Sequence, residues 1–253
     1  NAISCIEVEK RYDTFRLYLD ELTVPQGSMV GLIGENGAGK STTIRLLLGL
    51  AHADKGTIEM FGEPVSYGAT TKMRENIGFV MEDAWPCAFL NPRQTGNVLA
   101  KAYHNWDMEN YLMLLKKFDI PVNKLFKDFS HGMKMKLTLA IALSHHAKLL
   151  ILDEPTSSLD PPTRDDILTM LMDFTREEDH TVFLSSHIVS DIEKICDYIV
   201  YIHKGKILLR DEKERISETY ALASCAAQHV DDIDPRSILG IRRTPYGVTA
   251  LMR

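Results

Sequence analysis

The segment Gly34-Glu35-Asn36-Gly37-Ala38-Gly39-Lys40-Ser41-Thr42 carries the densest chemistry in the chain. It fits the spacing glycine, four residues, glycine, lysine, serine. Glycines let backbone N–H groups turn inward around phosphate oxygens, and a helix N-terminus adds partial positive charge. In that frame Asn36, Gly37, Ala38, Gly39 and Thr42 belong to the cradle, Lys40 reaches the β and γ phosphates, and Ser41 places its hydroxyl on Mg²⁺. A nucleoside triphosphate is the expected ligand. Asp153-Glu154 form a second reactive pair, closing the apolar run Leu149-Leu150-Ile151-Leu152. Such a pair falls at the C-terminal edge of a sheet, where ligands bind in open α/β folds. There Asp153 is expected to hold Mg²⁺ through its water shell, and Glu154 to orient and polarise an attacking water.

These groups need elements to position them. The run Met29-Val30-Gly31-Leu32-Ile33 precedes the glycines, and Ile44, Leu47 and Leu48 follow at helical spacing before Gly49. The order is strand, glycine loop, helix. Short strands are expected within 3–24, and further strand-like runs cover 57–61, 77–81, 149–152, 182–185 and 198–202, with helical patterns between several of them. That alternation predicts a largely parallel sheet, and the preferred fold is a phosphate-loop α/β core with an antiparallel β portion near the N-terminus. Between Asp83 and His146 the strand signals vanish, and helical stretches near 95–104, 108–118 and 133–144 point to a helical insertion. Beyond Asp211 the chain becomes acidic and less regular, with short apolar groups at Ile238-Leu239 and 248–251. The expected division is a core domain over 1–210, its insertion at about 83–146, and a small appendage over 211–253.

Composition removes several classes. With 253 residues the chain is long enough to bury a substantial core, and 45% hydrophobic with 25% charged residues is ordinary for a globular protein. Lys plus Arg number 29 against 35 Asp plus Glu, a net charge of -6, so no basic field recruits nucleic acid. Cys5, Cys87, Cys196 and Cys225 are scattered without a Cys-x-x-Cys pair, which argues against a zinc site or a disulfide framework and suits a reducing cytosol. No apolar run approaches the ~20 residues that cross a bilayer, so any membrane work is expected to fall to another chain. Asn123-Lys124-Leu125-Phe126 lacks the Asp that guanine reading requires, which argues against a GTPase. His145-His146 are expected to face water or cap carbonyls near a helix end rather than bind metal.

Together with Phe129-Ser130-His131-Gly132-Met133 upstream, and Ser158-Leu159-Asp160 and Ser186-His187 downstream, these elements resemble the ATP-binding-cassette (ABC) ATPases over about residues 3–209. In that family two cassettes sandwich two ATP molecules. The resemblance implies that Ser130 and the backbone of Gly132 touch the γ phosphate of the opposite subunit's ATP, and that Tyr12 stacks on adenine. It further implies that Asp160 crosses the dimer interface, and that His187 contacts the γ phosphate and helps position the water. The implied activity is ATP hydrolysis by the nucleotide-binding subunit of a membrane exporter. That subunit would be cytoplasmic, peripheral on the inner face of the membrane, and attached to a transmembrane permease and a second cassette, identical or not. The alternative is a soluble cassette protein acting as a nucleotide-switched interaction module. No nucleic-acid partner is expected.

Two departures stand out. The family signature reads Leu-Ser-Gly-Gly-Gln, whereas this chain has Phe129, His131 and Met133 while keeping Ser130 and Gly132. Here Ser130 suits an N-cap, with His131 in the first helical turn and Met133, Leu137, Ala140 and Ser144 marking one face. The second departure is Glu82, after Ile77-Gly78-Phe79-Val80-Met81, where the family usually has Gln. Glu82 can offer oxygen to Mg²⁺ or to the attacking water, at the cost of a further charge beside Asp153 and Glu154. It looks like the variant loop of cassettes in bacterial peptide-antibiotic resistance and immunity exporters. The run from Ser130 to Leu137 also resembles a bacterial subgroup often paired with a small transcription regulator. The apolar cluster 85–90, beginning at Trp85, suits either local core or a docking surface for a transmembrane partner.

Overall fold

The computed structural model describes residues 1–65, 75–81, 87–226, 229, 234–244 and 247–253. The chain divides into two compact units, Asn1–Arg210 and Asp211–Arg253. In the first unit β1 (Ile3–Arg11), β2 (Arg16–Val24) and β3 (Met29–Ile33) lead to α1 (Lys40–Leu47), then β4 (Lys55–Met60), β5 (Glu63–Pro64) and β6 (Ile77–Val80). Helices α2 (Pro92–Ala102), α3 (Met108–Lys117) and α4 (His131–Ala142) follow. Then come β7 (Leu149–Asp153), α5 (Pro161–Phe174), β8 (Thr181–Ser186), α6 (Val189–Ile195), β9 (Tyr198–His203) and β10 (Lys206–Glu212), whose last two residues belong to the second unit.

One ten-stranded sheet runs β5-β4-β1-β2-β10-β9-β3-β8-β7-β6. Its β9-β3-β8-β7-β6 half is parallel, while β1 pairs antiparallel with both β2 and β4. The continuous apolar runs of β3, β7 and β8 are explained by burial on both faces. Alternate residues enter different cores: Met29, Leu150, Leu152, Val182 and Leu184 join the core beneath α3 to α6. Their neighbours Val30, Leu149, Ile151 and Phe183 join the core shared with α1 and the antiparallel strands. Gly31 lets α6 approach β3, since a Cβ there would lie 2.5 Å from Ile192 Cγ2.

The helices of the insertion begin where their caps dictate. Asn91 and Gln94 form a reciprocal capping box with Pro92 in the first turn, so α2 starts earlier than apolar spacing suggests. Asp107 caps α3 through the Asn110 amide.

The second unit contains α7 (Lys213–Thr219) and an antiparallel sheet of β11 (Ala221–Cys225), β12 (Ile238–Thr244) and β13 (Gly247–Met252), ordered β11-β13-β12. Val248 and Ala250 are buried, whereas Leu222, Leu239 and Leu251 are exposed.

Candidate functional site

Strand register assembles the site before any side chain is considered. Leu32 of β3 lies opposite Ser185 of β8, Ser185 lies opposite Asp153 of β7, and Ile33 lies opposite Ser186. The glycine loop after β3, the Asp153-Glu154 turn after β7 and the Ser186-His187 turn after β8 therefore leave one edge in adjacent columns. This is the carboxyl edge at which parallel sheets bind ligands.

The glycines of the loop answer different constraints. Gly39 sits at the N-cap of α1 with φ 114, and a Cβ there would lie 2.9 Å from Leu17 Cδ1 and 3.1 Å from Phe15 Cζ. Gly34 has an ordinary torsion but no room, because its Cβ would lie 2.5 Å from the Ile202 carbonyl oxygen. No side chain caps α1, so its first amides stay available to an anion. Asn36, Gly37 and Ser41 are exposed, Thr42 is half-buried, and Ala38 and Gly39 are buried. Lys40 is 6% exposed, and its ammonium donates to the carbonyls of Gly34 at 2.7 Å and Glu35 at 3.3 Å. Its third direction is taken by Glu154 Oε1 at 3.1 Å.

Glu154 is the junction of the site. Its other oxygen lies 2.7 Å from His187 Nδ1 and accepts from the His187 amide at 3.3 Å. A carboxylate only accepts, so Nδ1 carries the proton in this contact. Glu154 also has a left-handed backbone, φ 51. Ser185, which sequence reasoning missed, fixes both acids: its hydroxyl donates to Asp153 Oδ1 at 2.6 Å and accepts from the Glu154 amide at 3.1 Å. No local sequence signal marks it, because its place opposite Asp153 is set by the pairing of β7 with β8.

Ser130, Gly132 and Asp160 form a second group. Ser130 is the N-cap of α4 and accepts from the Met133 amide at 3.2 Å, with His131 as the first helical residue. Asp160 caps α5 by accepting from the Thr163 amide at 3.1 Å, and the bonds from Thr163 hold its carboxyl below the usual range. The pattern Asp160-Pro161-Pro162 announces that cap. A Cβ on Gly132 would meet Thr163 Cγ2 at 3.4 Å and Leu159 Cδ2 at 3.7 Å, so the Ser130 turn lies beside the start of α5.

Tyr12 stands 47% exposed in the turn after β1, with Lys10 Nζ 5.6 Å from its ring centroid. That turn leans on the glycine loop through Phe15, near Gly39. Its base is tied by Glu9, a buried carboxylate that sequence reasoning overlooked, paired with Arg11 and with Arg16 at 2.9 Å. The Arg11 guanidinium holds the Glu9 carboxyl below its usual range.

Glu82 and Trp85 lie outside the described residues. Of the neighbouring apolar cluster, Phe89 is 71% exposed with Lys127 Nζ 5.5 Å from its ring centroid. An apolar hollow of about 230 Å³ is lined by Phe79, Cys87, Leu90, Val98, Tyr103 and His145. The two adjacent histidines part company. His145 is buried, stacked on Tyr103, with its ring nitrogens 3.2 Å from the Ile141 carbonyl and 3.1 Å from that of Ile77. Burial pulls its pKa below the ordinary histidine value. His146 is exposed, 3.6 Å from Asp107.

Among the described residues, no helix is long and apolar enough to cross a membrane, and no group of three or more His, Cys, Asp or Glu could by itself hold a metal. Ser41 and Asp153 offer hard oxygen donors beside the phosphate cradle, a set that fits Mg²⁺ shared with phosphate rather than caged by protein.

A family model described as "ABC transporter" matches residues 19–157. A bacitracin transport ATP-binding protein of Bacillus licheniformis is 39% identical over 189 residues, covering 74% of this chain and 61% of the relative. The chain thus spans less than two thirds of that protein's length. A lantibiotic transport ATP-binding protein of Streptococcus pyogenes is 36% identical over 194 residues, covering 76% of this chain and 82% of the relative. A solved ATP-binding subunit of an ABC transporter superposes with a TM-score of 0.76 at 26% identity, covering 86% of this chain and 92% of that one.

Proposed function

The chain belongs to the ABC transporter family, and from that premise we propose that it is the ATP-binding and ATP-hydrolysing subunit of a membrane exporter, working as a dimer of cassettes. The observation that carries this reading is the Glu154 carboxylate, set between the ammonium of Lys40 and the imidazole of His187 at the carboxyl edge of the sheet. A triphosphate entering the cradle draws Lys40 away from Glu154, because several phosphate oxygens outbid one carboxylate for the ammonium. Glu154 Oε1 is then free to accept a proton from water, while Oε2 stays on His187 and fixes the carboxylate's orientation. Lys40 and the first amides of α1 hold the β and γ phosphates, and Tyr12 stacks on the base.

Ser41, Asp153 and Glu82 would hold Mg²⁺, which neutralises phosphate charge when bound. Asp153 keeps Oδ2 for this, since Ser185 occupies Oδ1. Ser130, Gly132 and Asp160 serve the nucleotide of the second cassette. A transmembrane permease supplies the membrane path and docks on the 85–90 cluster, with this chain on the cytoplasmic face. Transport is favoured by the bacitracin and lantibiotic transport relatives, and export by a relative of Sinorhizobium fredii named for Nod factor export.

The test is Glu154→Gln. It should bind ATP, form an ATP-dependent dimer by light scattering, and hydrolyse roughly 10²–10⁴-fold more slowly than wild type. Lys40→Ala should instead lose nucleotide binding. Wild-type turnover in Glu154→Gln removes Glu154 from the assignment. Failure to copurify with any polytopic membrane protein from solubilised native membranes removes the exporter reading.

A further inference from the structure

Asp191 is 2% exposed in the first turn of α6, just beyond His187. Its carboxylate accepts from the Thr156 hydroxyl at 2.6 Å on one oxygen and from Arg164 Nε at 2.6 Å on the other, with Arg164 Nη2 also paired to it. The same guanidinium donates to Ser190 at 3.0 Å. A carboxylate is expensive to bury, and here both its oxygens are answered by donors from distant parts of the chain.

The origins of those donors matter more than their number. Thr156, itself buried, lies in the loop that leaves Glu154. Arg164 lies in the first turns of α5, and its amide donates to the Asp160 carbonyl at 3.0 Å. Asp191 and Ser190 belong to the helix that follows His187. One buried carboxylate therefore ties together the segments that present Glu154, Asp160 and His187. The first of these has reason to need holding, because Glu154 at φ 51 and Ser158 at φ 58 both adopt a left-handed backbone that non-glycine residues disfavour.

We propose that Asp191 is a positioning residue for hydrolysis. Acting through Thr156 and Arg164, it keeps the 154–160 loop in register with the His187 turn, so that the Glu154–His187 contact persists through nucleotide binding and dimer closure. Buried at 2% exposure, it acts through those neighbours and is not itself the base. The proposal rests on the reading of Glu154 as the hydrolytic base, and its test separates the two.

Two variants of the full chain serve: Asp191→Asn, which keeps the shape but removes the charge facing Arg164, and Thr156→Val, which deletes one hydrogen bond with little change of volume. In the first measurement, hydrogen exchange, both variants should speed exchange in the 155–160 and 187–190 segments together while 34–42 stays as in wild type. In the second, both should lower kcat roughly tenfold with KM for ATP within about twofold, since misplacing a catalytic group costs rate while the phosphate cradle is untouched. A merely structural Asp191 would lower thermal stability yet leave kcat per folded molecule unchanged, and that outcome overturns the proposal. So does wild-type exchange in Thr156→Val, a substitution gentle enough that misfolding does not obscure the result. Should the wild type bind ATP without hydrolysing it, the hydrolytic reading falls by itself, and the exchange experiment still decides whether the brace exists.

Discussion

Helix α1 begins at the glycine loop and helix α4 at the Ser130 turn of the second group, and their N-termini are finished by opposite means. Gly39 brings no side chain to α1, so its N-cap makes no side-chain hydrogen bond to the first amides. Ser130 closes α4 upon itself by accepting from the Met133 amide, and Asp160 does the same for α5 through Thr163. An uncapped end leaves donors for a phosphate, whereas a capped end is an anchor that presents something other than its own amides. The distinction constrains the roles of the cap residues. The Ser130 hydroxyl accepts one bond yet keeps its proton, so toward a phosphate it acts as a donor. Asp160, held ionised below the usual carboxylate range, has nothing to donate, so across a dimer interface it must meet a donor or a cation.

The largest test of this contrast is Gly39→Ala. The new Cβ would adopt a left-handed torsion against Leu17 and Phe15, for about 1–3 kcal/mol of strain, and nucleotide affinity should fall at least tenfold by fluorescence titration. Gly37→Ala calibrates it: φ is 80 but nothing lies within 4 Å, so the loss should stay near ~1 kcal/mol. Equal effects would mean that torsion alone governs the loop. Next in size is Ser130→Ala, expected to cost about 1 kcal/mol in a denaturant titration, with nucleotide binding to the monomer unaltered. If its ATP-dependent dimer in a Glu154→Gln background formed as readily as with Ser130, the hydroxyl would be a cap and nothing more.

The smallest effect concerns the far end of α4, where His145 faces the Ile141 carbonyl. Burial is the main cause that lowers its folded-state pKa, so the unfolded chain takes up the proton first as pH falls. Stability is therefore full above the ordinary histidine value and declines from there through the depressed folded value. Between about pH 8 and about pH 5.5 the wild type should lose more melting temperature than His145→Asn. The lowered carboxyls of Asp54, Asp160 and Asp179 act in a more acid range and are common to both proteins, while Glu75 interacts with His145 and belongs with it, so the difference reports the imidazole and its coupling to Glu75. Parallel pH curves would refute the assignment.

The parts of the fold legible in sequence were those governed by local rules. Glycine spacing placed the loop between β3 and α1, apolar runs placed β3, β7 and β8, and Ser130 announced its helix. Contacts between distant segments were not legible, because no local pattern says which strands become neighbours. Ser185 on Asp153, Thr156 and Arg164 on Asp191, and Glu9 between two arginines appear only once the chain is folded. The C-terminal sheet was seen only as scattered apolar groups, since β12 is exposed along nearly all its length and carries no strong alternation.

The left-handed backbone at Glu154 sets the chemistry of this site against the durability of the protein. Asn or Gly would take φ 51 more comfortably than Glu, by about 1 kcal/mol, so drift under selection for stability alone runs away from the glutamate. A chain of this fold that retained a glutamate there over long divergence would be one in which that carboxylate is continuously in use. Engineering for heat resistance should leave the position untouched, even though a backbone-based ranking of substitutions would place it among the first to change.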